Sequence, residues 1–171
     1  GAEQNFDISA DLEELAQTSV AVVCAGPKAI LDLPLTLEYL ETKGVPVLGY
    51  QTNEMPAFWS RLSGCMLHER YDTPKEIAQF ITTKKACALK GGVLVTNPIP
   101  AEHEIPHDEV MRYIDDALAA CDAQGVKGKE ITPFMLNHIR QITDGRSLDA
   151  NVALVVNNAK LAAEIAVQIA K

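Results

Sequence analysis

The stretch Ser19-Val20-Ala21-Val22-Val23-Cys24-Ala25-Gly26-Pro27-Lys28 decides the fold. Its first half is continuously apolar rather than alternating, the mark of a strand buried on both faces of a parallel sheet. Gly26 and Pro27 then turn the chain, and Lys28 stands where the strand has ended. Ligands of open α/β sheets gather at the carboxyl ends of strands. Held there among Cys24, Ala25 and Ile30, the lysine is partly desolvated, which disfavours its charged form and makes the amine a usable nucleophile toward a carbonyl. The competing reading is a surface lysine whose head reaches water along a loop.

Outward from this point the chain alternates strand and helix, as parallel βαβ connections require. Asp11 to Ala16 reads as a short helix with Asp11 and Glu14 as a capping box, and 20–24 is the strand just described. Asp32 caps the next helix, Pro34 sits in its first turn and Gly44 closes it. A second strand is expected at 46–50 and a helix from Thr73-Pro74 to about Leu89, which Gly91-Gly92 ends. A third strand at 93–95 is stopped by Thr96-Asn97-Pro98-Ile99-Pro100. Helices at about 107–123, 133–143 and 148–170 follow. The last is apolar nearly all round and is expected to be buried. The longest loops fall at 50–65 and 96–106.

Composition bounds the function. The 171 residues are 47% hydrophobic but only 5% aromatic, and the formal net charge is −8. A nucleic-acid duplex and an anionic membrane are poor partners for such a chain, whereas a small phosphorylated ligand is compatible with it. No run of 18 apolar residues marks a membrane span. Cys24, Cys65, Cys87 and Cys121 form no C-x-x-C pair. Cys24 and Cys87 read as small core residues, and a reducing compartment, hence a cytoplasmic location, fits best.

Three further constellations offer chemistry. Asp7, Ser9 and Asp11 alternate, so an extended segment projects two carboxylates and a hydroxyl to one side. They could hold a hard cation, grip sugar hydroxyls, or simply cap the helix that follows. His103-Glu104-Ile105-Pro106-His107 matches H-E-x-x-H in letters only, because Pro106 denies the helix that a zinc site needs. Asn151 and Asn158 share a face of the last helix, where a buried amide either braces a loop or meets a ligand.

These segments together resemble the pseudouridine-5′-phosphate glycosidases. The stretches that carry the resemblance are F-D-I-S-A-D-L-E-E-L, the run from Val20 to Thr52, M-P-A-F, G-G-V-L-V-T-N-P-I-P and S-L-D-A-N-V-A-L-V-V-N-N-A, in the family order. The resemblance implies cleavage of the carbon–carbon glycosidic bond of pseudouridine 5′-phosphate to uracil and ribose 5-phosphate. It implies a three-layer α/β/α fold with a mostly parallel sheet, a homotrimer and a manganese ion. Lys28 matches the family nucleophile, which bonds to C1′ of the opened ribose. Asp7 matches the metal-linked aspartate, Ser9, Ala10 and Asp11 the stretch beside the substrate, and Asn151 an active-site asparagine. Pro27 and Thr96 depart from the usual family residues without removing a side chain that has a role. The family's proton-donating glutamate belongs to an N-terminal portion that the sequence does not contain. Residues 1–171 are therefore expected to be the C-terminal portion of one domain, with an incomplete sheet and no activity alone. Two other readings fit the residues: another Schiff-base lyase or aldolase acting on a sugar phosphate, and a non-catalytic phosphosugar-binding or assembly subunit.

Overall fold

The computed structural model describes residues 8–28, 30–126 and 130–171. Four strands, β1 (Ala21–Cys24), β2 (Val47–Tyr50), β3 (Glu69–Tyr71) and β4 (Val93–Thr96), form one parallel sheet in the order β1-β4-β2-β3. Among the described residues six α-helices accompany it: α1 (Ala10–Gln17), α2 (Leu33–Thr42), α3 (Pro74–Ala86), α4 (His107–Gln124), α5 (Ile131–Ile142) and α6 (Arg146–Ile169). The β1–β4 register pairs Ala21 with Val93 and Cys24 with Thr96, so both strands end at one level.

The sheet is covered on both faces, giving the expected three layers. Period-two alternation sorts its side chains. Val23, Leu48, Val93 and Val95 face α3 and α6, where they pack with Ile77, Ala78, Leu161 and Ile165. Val22, Cys24, Val47 and Leu94 face α1 and α2, where they meet Leu15, Leu33 and Leu40. A third apolar cluster lies beyond the carboxyl end of the sheet. There Ala25, Trp59, Ile99 and Ile105 pack with Val110 and Ile114 of α4, Met135 and Ile139 of α5, and Ala150 and Leu154 of α6.

The helix ends follow from sequence chemistry. Asp32 accepts the Leu35 N–H at 2.9 Å, with Pro34 in the first turn. Thr73 and Glu76 form a reciprocal capping box, and these hydrogen bonds hold the Glu76 carboxyl below its usual range. The first helix differs from expectation. Its cap is Ser9, whose Oγ accepts the Asp11 N–H at 3.3 Å, while Glu14 accepts from the Thr18 hydroxyl. Pro106 stands at the amino end of α4 and separates His103, in a short 3₁₀ turn (Ala101–His103), from His107. H-E-x-x-H therefore spans a chain break between helices, as its proline demands.

Three other expectations are corrected. The 65–72 region contains a fourth strand, β3, short and polar at the sheet edge. Cys87 is exposed at the end of α3, and Cys121 is the cysteine that fills the core. The last helix is buried along one face only: Leu154, Leu161 and Ile165 point inward, while Val152, Val155, Val156 and Val167 are exposed. By length and composition α6 would also suffice to cross a membrane. Its inner face is committed to the sheet and to α3.

One buried charge closes the sheet's amino end. Lys84 is only 9% exposed, and its Nζ donates to the carbonyls of Leu89, Lys90 and Gly91 at 3.2, 2.5 and 2.8 Å. Lys84→Met keeps the stem and removes the donor, leaving three converging carbonyls unpaired. Stability should fall by roughly 2–3 kcal/mol, read as a lower urea midpoint with an unchanged m-value.

Candidate functional site

The carboxyl ends of β1 and β4 lie side by side, and the chain leaves them toward opposite layers. From β1 it passes to α2 on one face; from β4 it runs through α4 and α5 to α6 on the other. This is a topological switch point, where open α/β sheets form a crevice.

The turn after β1 is fixed on three sides. The Cys24 carbonyl accepts the Asn97 N–H at 2.8 Å, and the Ala25 carbonyl accepts the Phe58 N–H at 2.9 Å. Gly26 adopts φ +85°, and a β-carbon there would lie 1.7 Å from the Pro56 carbonyl oxygen. Only glycine fits both the backbone angle and the contact. The turn thus delivers Lys28, half-buried, at the end of the sheet, with its carbonyl accepting the Leu31 N–H at 2.9 Å. Beside it the part-buried Cys24 thiol is pushed up by burial, so this sulfur is held as a neutral thiol.

The other sequence-predicted residues come to the same end. The Gly92 N–H donates to the Leu15 carbonyl at 2.7 Å, which pins the last turn of α1 to the sheet's amino end. Eight helical residues rise about 12 Å, close to the length of a four-residue strand. That length carries Ser9, Ala10 and Asp11, all exposed, up to the carboxyl end. Helix α6 also runs against the strands. Leu161 and Ile165 pack on Val93 and Val95, whereas Asn158 Oδ1 accepts from Asn97 Nδ2 at 3.1 Å, just past the end of β4. Asn151, half-buried, lies two turns earlier, about 10 Å further along the axis and next to Ala150, which packs in the cluster that includes Ala25. Lys28, Asn151 and the Ser9–Asp11 segment therefore share one end of the molecule. Asp7 and Glu3 lie outside the described residues.

Two glutamates of the loops at this end of the sheet, Glu54 and Glu104, are engaged with backbone N–H groups. Glu54 Oε2 accepts from the Ser63 and Gly64 N–H groups at 3.3 and 2.8 Å. Glu104 Oε1 accepts the Arg61 N–H at 2.8 Å. Both carboxylates brace the loops that roof the site, and Arg61 Nη1 adds a bond to the Ile99 carbonyl at 2.6 Å. Among the described residues no three His, Cys, Asp or Glu side chains converge in a group able to hold a metal ion. The hard donors at hand are Ser9 and Asp11, and the Ser9 hydroxyl is already engaged as a cap.

The sequence offers Lys28 and Asn151 as candidates, and the residues that hold their elements are not among those it singles out. Pro56, Phe58 and Asn97 act through backbone and amide contacts across the fold. Their signals are the M-P-A-F stretch and the Asn-Pro turn directly after a strand.

Several known proteins are similar to this chain. The pseudouridine-5′-phosphate glycosidase of Solibacter usitatus is 60% identical over 166 residues, covering 97% of this chain and 56% of that protein. The enzyme of the same name from Clostridium botulinum is 52% identical over 171 residues, covering all of this chain and 56% of its own. Among solved structures, an indigoidine synthase A-like protein of Thermotoga maritima superposes with a TM-score of 0.86 at 40% identity, over 96% of this chain and 55% of that one. The prealnumycin C-glycosynthase AlnA, in complex with ribulose 5-phosphate, superposes with a TM-score of 0.91 at 33% identity, over 98% and 55%. The chain thus spans just over half the length of the relatives it matches. The family of indigoidine synthase A-like proteins matches residues 1–168, and it is the family to which this chain belongs.

Proposed function

We propose that this chain is the nucleophile-bearing portion of a pseudouridine-5′-phosphate glycosidase. The observation that carries the reading is Lys28, half-buried at the switch point in a turn that only glycine at position 26 permits. The names of the relatives at 52–60% identity support the substrate, and the phosphosugar in the C-glycosynthase complex supports a pentose phosphate in this crevice.

The chemistry follows from the substrate. A C-glycoside has no bridging heteroatom to protonate, so the usual pair of carboxylates is poorly suited to it. The Lys28 amine instead bonds to C1′ as the ring oxygen leaves C1′ and takes a proton. The nitrogen lone pair then forms a C=N bond while the C1′–C5 bond breaks, and C5 of uracil departs with the electron pair and is protonated. Water hydrolyses the imine, releasing ribose 5-phosphate and the free amine. Asn151 and Ser9–Asp11 lie toward the same end of the sheet and are read as orienting the substrate. The proton donor is assigned, from the family resemblance, to a glutamate of the portion that this chain does not cover, and Glu54 and Glu104 are bound to backbone N–H groups. Manganese belongs to the proposal through Asp7, with oxygen donors beyond those described; when bound it supplies electrostatic stabilisation of anionic oxygens. The complete unit is read as a cytoplasmic homotrimer.

The companion portion is read from the surface as well. Strand β1 ends the sheet with Val20 and Ala21 exposed and no charge on its edge, and α6 turns four valines outward. Such faces call for cover. A second reading, formation of a C-glycosidic bond to a different acceptor, is favoured by the C-glycosynthase neighbour, at 33% identity.

Three outcomes are expected. In the active assembly, ribose 5-phosphate with borohydride should label Lys28, and Lys28→Arg should abolish turnover, because a guanidinium stays protonated. A label on Lys90 or Lys160, with Lys28 unmodified, would overturn the assignment. Asp7→Asn should weaken manganese binding and activity together, measured by metal titration and turnover; unchanged manganese affinity would place the ion elsewhere. The chain alone should bind a dye for exposed apolar surface and give no turnover, and a polypeptide covering the remainder of the relatives' length should restore both solubility and activity. Turnover by the chain alone that Lys28→Ala removes would place the proton donor within these 171 residues.

A further inference from the structure

Lys28 and Asn151 are 123 positions apart in sequence and sit on separate elements. One residue with no part in the chemistry joins those elements. Asn97 follows β4 directly. Its backbone N–H donates to the carbonyl of Cys24, the last residue of β1, at 2.8 Å. Its side chain is 4% exposed, and Nδ2 donates to Asn158 Oδ1 on α6 at 3.1 Å. The next helical residue, Asn157, donates through Nδ2 to the Pro98 carbonyl at 3.2 Å. The Asn97–Pro98 turn is therefore bonded on one side four residues before Lys28 and on the other seven residues after Asn151. Seven residues are about two helical turns, so Asn151 and Asn158 share a face.

Helix α6 has other directional contacts: the Asn157 bond just described and, at its first turn, Arg146 to the Glu109 carboxylate at 2.7 Å and to the Glu104 carbonyl at 3.2 Å. Those partners lie outside the strands, whereas the Asn97–Asn158 pair ties the helix to the residue bonded to β1. Leu161 and Ile165 pack on the sheet, and Leu154 in the cluster beyond its carboxyl end, through apolar surface, which is non-directional. The outer face of α6 is open. An amide pair is directional. It adds little net stability over an apolar pair of the same shape, and what it contributes is a fixed position along the helix axis.

We propose that Asn97 is a positioning residue: through Asn158 it sets the distance between the Lys28 turn and the α6 face that carries Asn151. The proposal rests on the reading of Lys28 as nucleophile. A displacement of about 1 Å between reacting groups costs on the order of 100-fold in rate, so loss of the clamp acts on the bond-forming step rather than on affinity for the phosphosugar.

The test compares Asn158→Leu, Asn158→Ala and Asn158→Asp in the active assembly. It reads the rate of borohydride trapping with ribose 5-phosphate, kcat and KM with pseudouridine 5′-phosphate, and the melting midpoint. Asn158→Leu and Asn158→Ala remove the acceptor; trapping rate and kcat should fall about 10- to 100-fold with KM within about 3-fold. Asn158→Asp keeps an acceptor for Asn97 Nδ2 and should recover most of the loss, whatever its melting midpoint. Parent-like rates in the Leu and Ala variants would overturn the proposal, as would losses that follow the melting midpoint across all three. A label that persists in Lys28→Ala would bring down the nucleophile reading and this proposal with it. A label confined to Lys28, with an unchanged trapping rate in the Leu and Ala variants, would bring down this proposal alone.

Discussion

The approach of the Pro56 carbonyl to Gly26 is the contact on which the carboxyl end of the sheet depends. At 1.7 Å from an ideal β-carbon, the oxygen occupies the space that any other residue would need. With Gly26 in place, the 55–58 segment lies flat on the turn, the Phe58 N–H reaches the Ala25 carbonyl, and Trp59 enters the cluster with Ala25, Ile99 and Ile105. Phe58 itself takes φ +62°, an uncommon angle for a bulky residue and a local cost near 1 kcal/mol. The surrounding contacts sustain that cost. The position of Lys28 is thus determined by packing from above the sheet as much as by the strand below it.

Much of this was legible in the sequence. The β1 run, the Asp32 and Thr73 caps and the breaks at Gly44 and Pro106 all act within a few residues, and each fell where local chemistry placed it. Strand β3 was not legible because Glu69-Arg70-Tyr71 is a charged edge strand with no apolar alternation to announce it. Burial of α6 was overestimated because composition cannot tell which side of an apolar helix finds a partner. In the site, Lys28 and Asn151 were visible as residue types in telling places, and their family resemblance added roles. Their supports were not visible: Asn97 meets Asn158 across 61 residues, and Phe58 meets Ala25 across 33, through contacts that exist only once the layers are assembled.

The two borders of the sheet contrast. At β3 the sheet ends in Glu69 and Arg70, with Arg70 paired to Asp72 at 2.9 Å. Short length and charge are the ordinary means by which a sheet refuses further pairing. At β1 (Ala21–Cys24) the border is also short but carries no charge. The asymmetry leaves one border of the described sheet charged and the other apolar.

The antiparallel course of the helices has an electrostatic consequence. Helices α1, α2, α3 and α6 all begin at the carboxyl end of the strands, so their backbone dipoles point the same way. Each contributes roughly half a positive charge at its first turn. Asp32 and Glu76 offset part of this at α2 and α3, while α6 begins with no side-chain cap at all. Asp11 and Asp149 stand in the first turns of α1 and α6, so this end of a chain of net charge −8 sets carboxylates against oriented peptide groups. The backbone part of that field carries no titratable proton, and a change of pH acts there through the side chains alone.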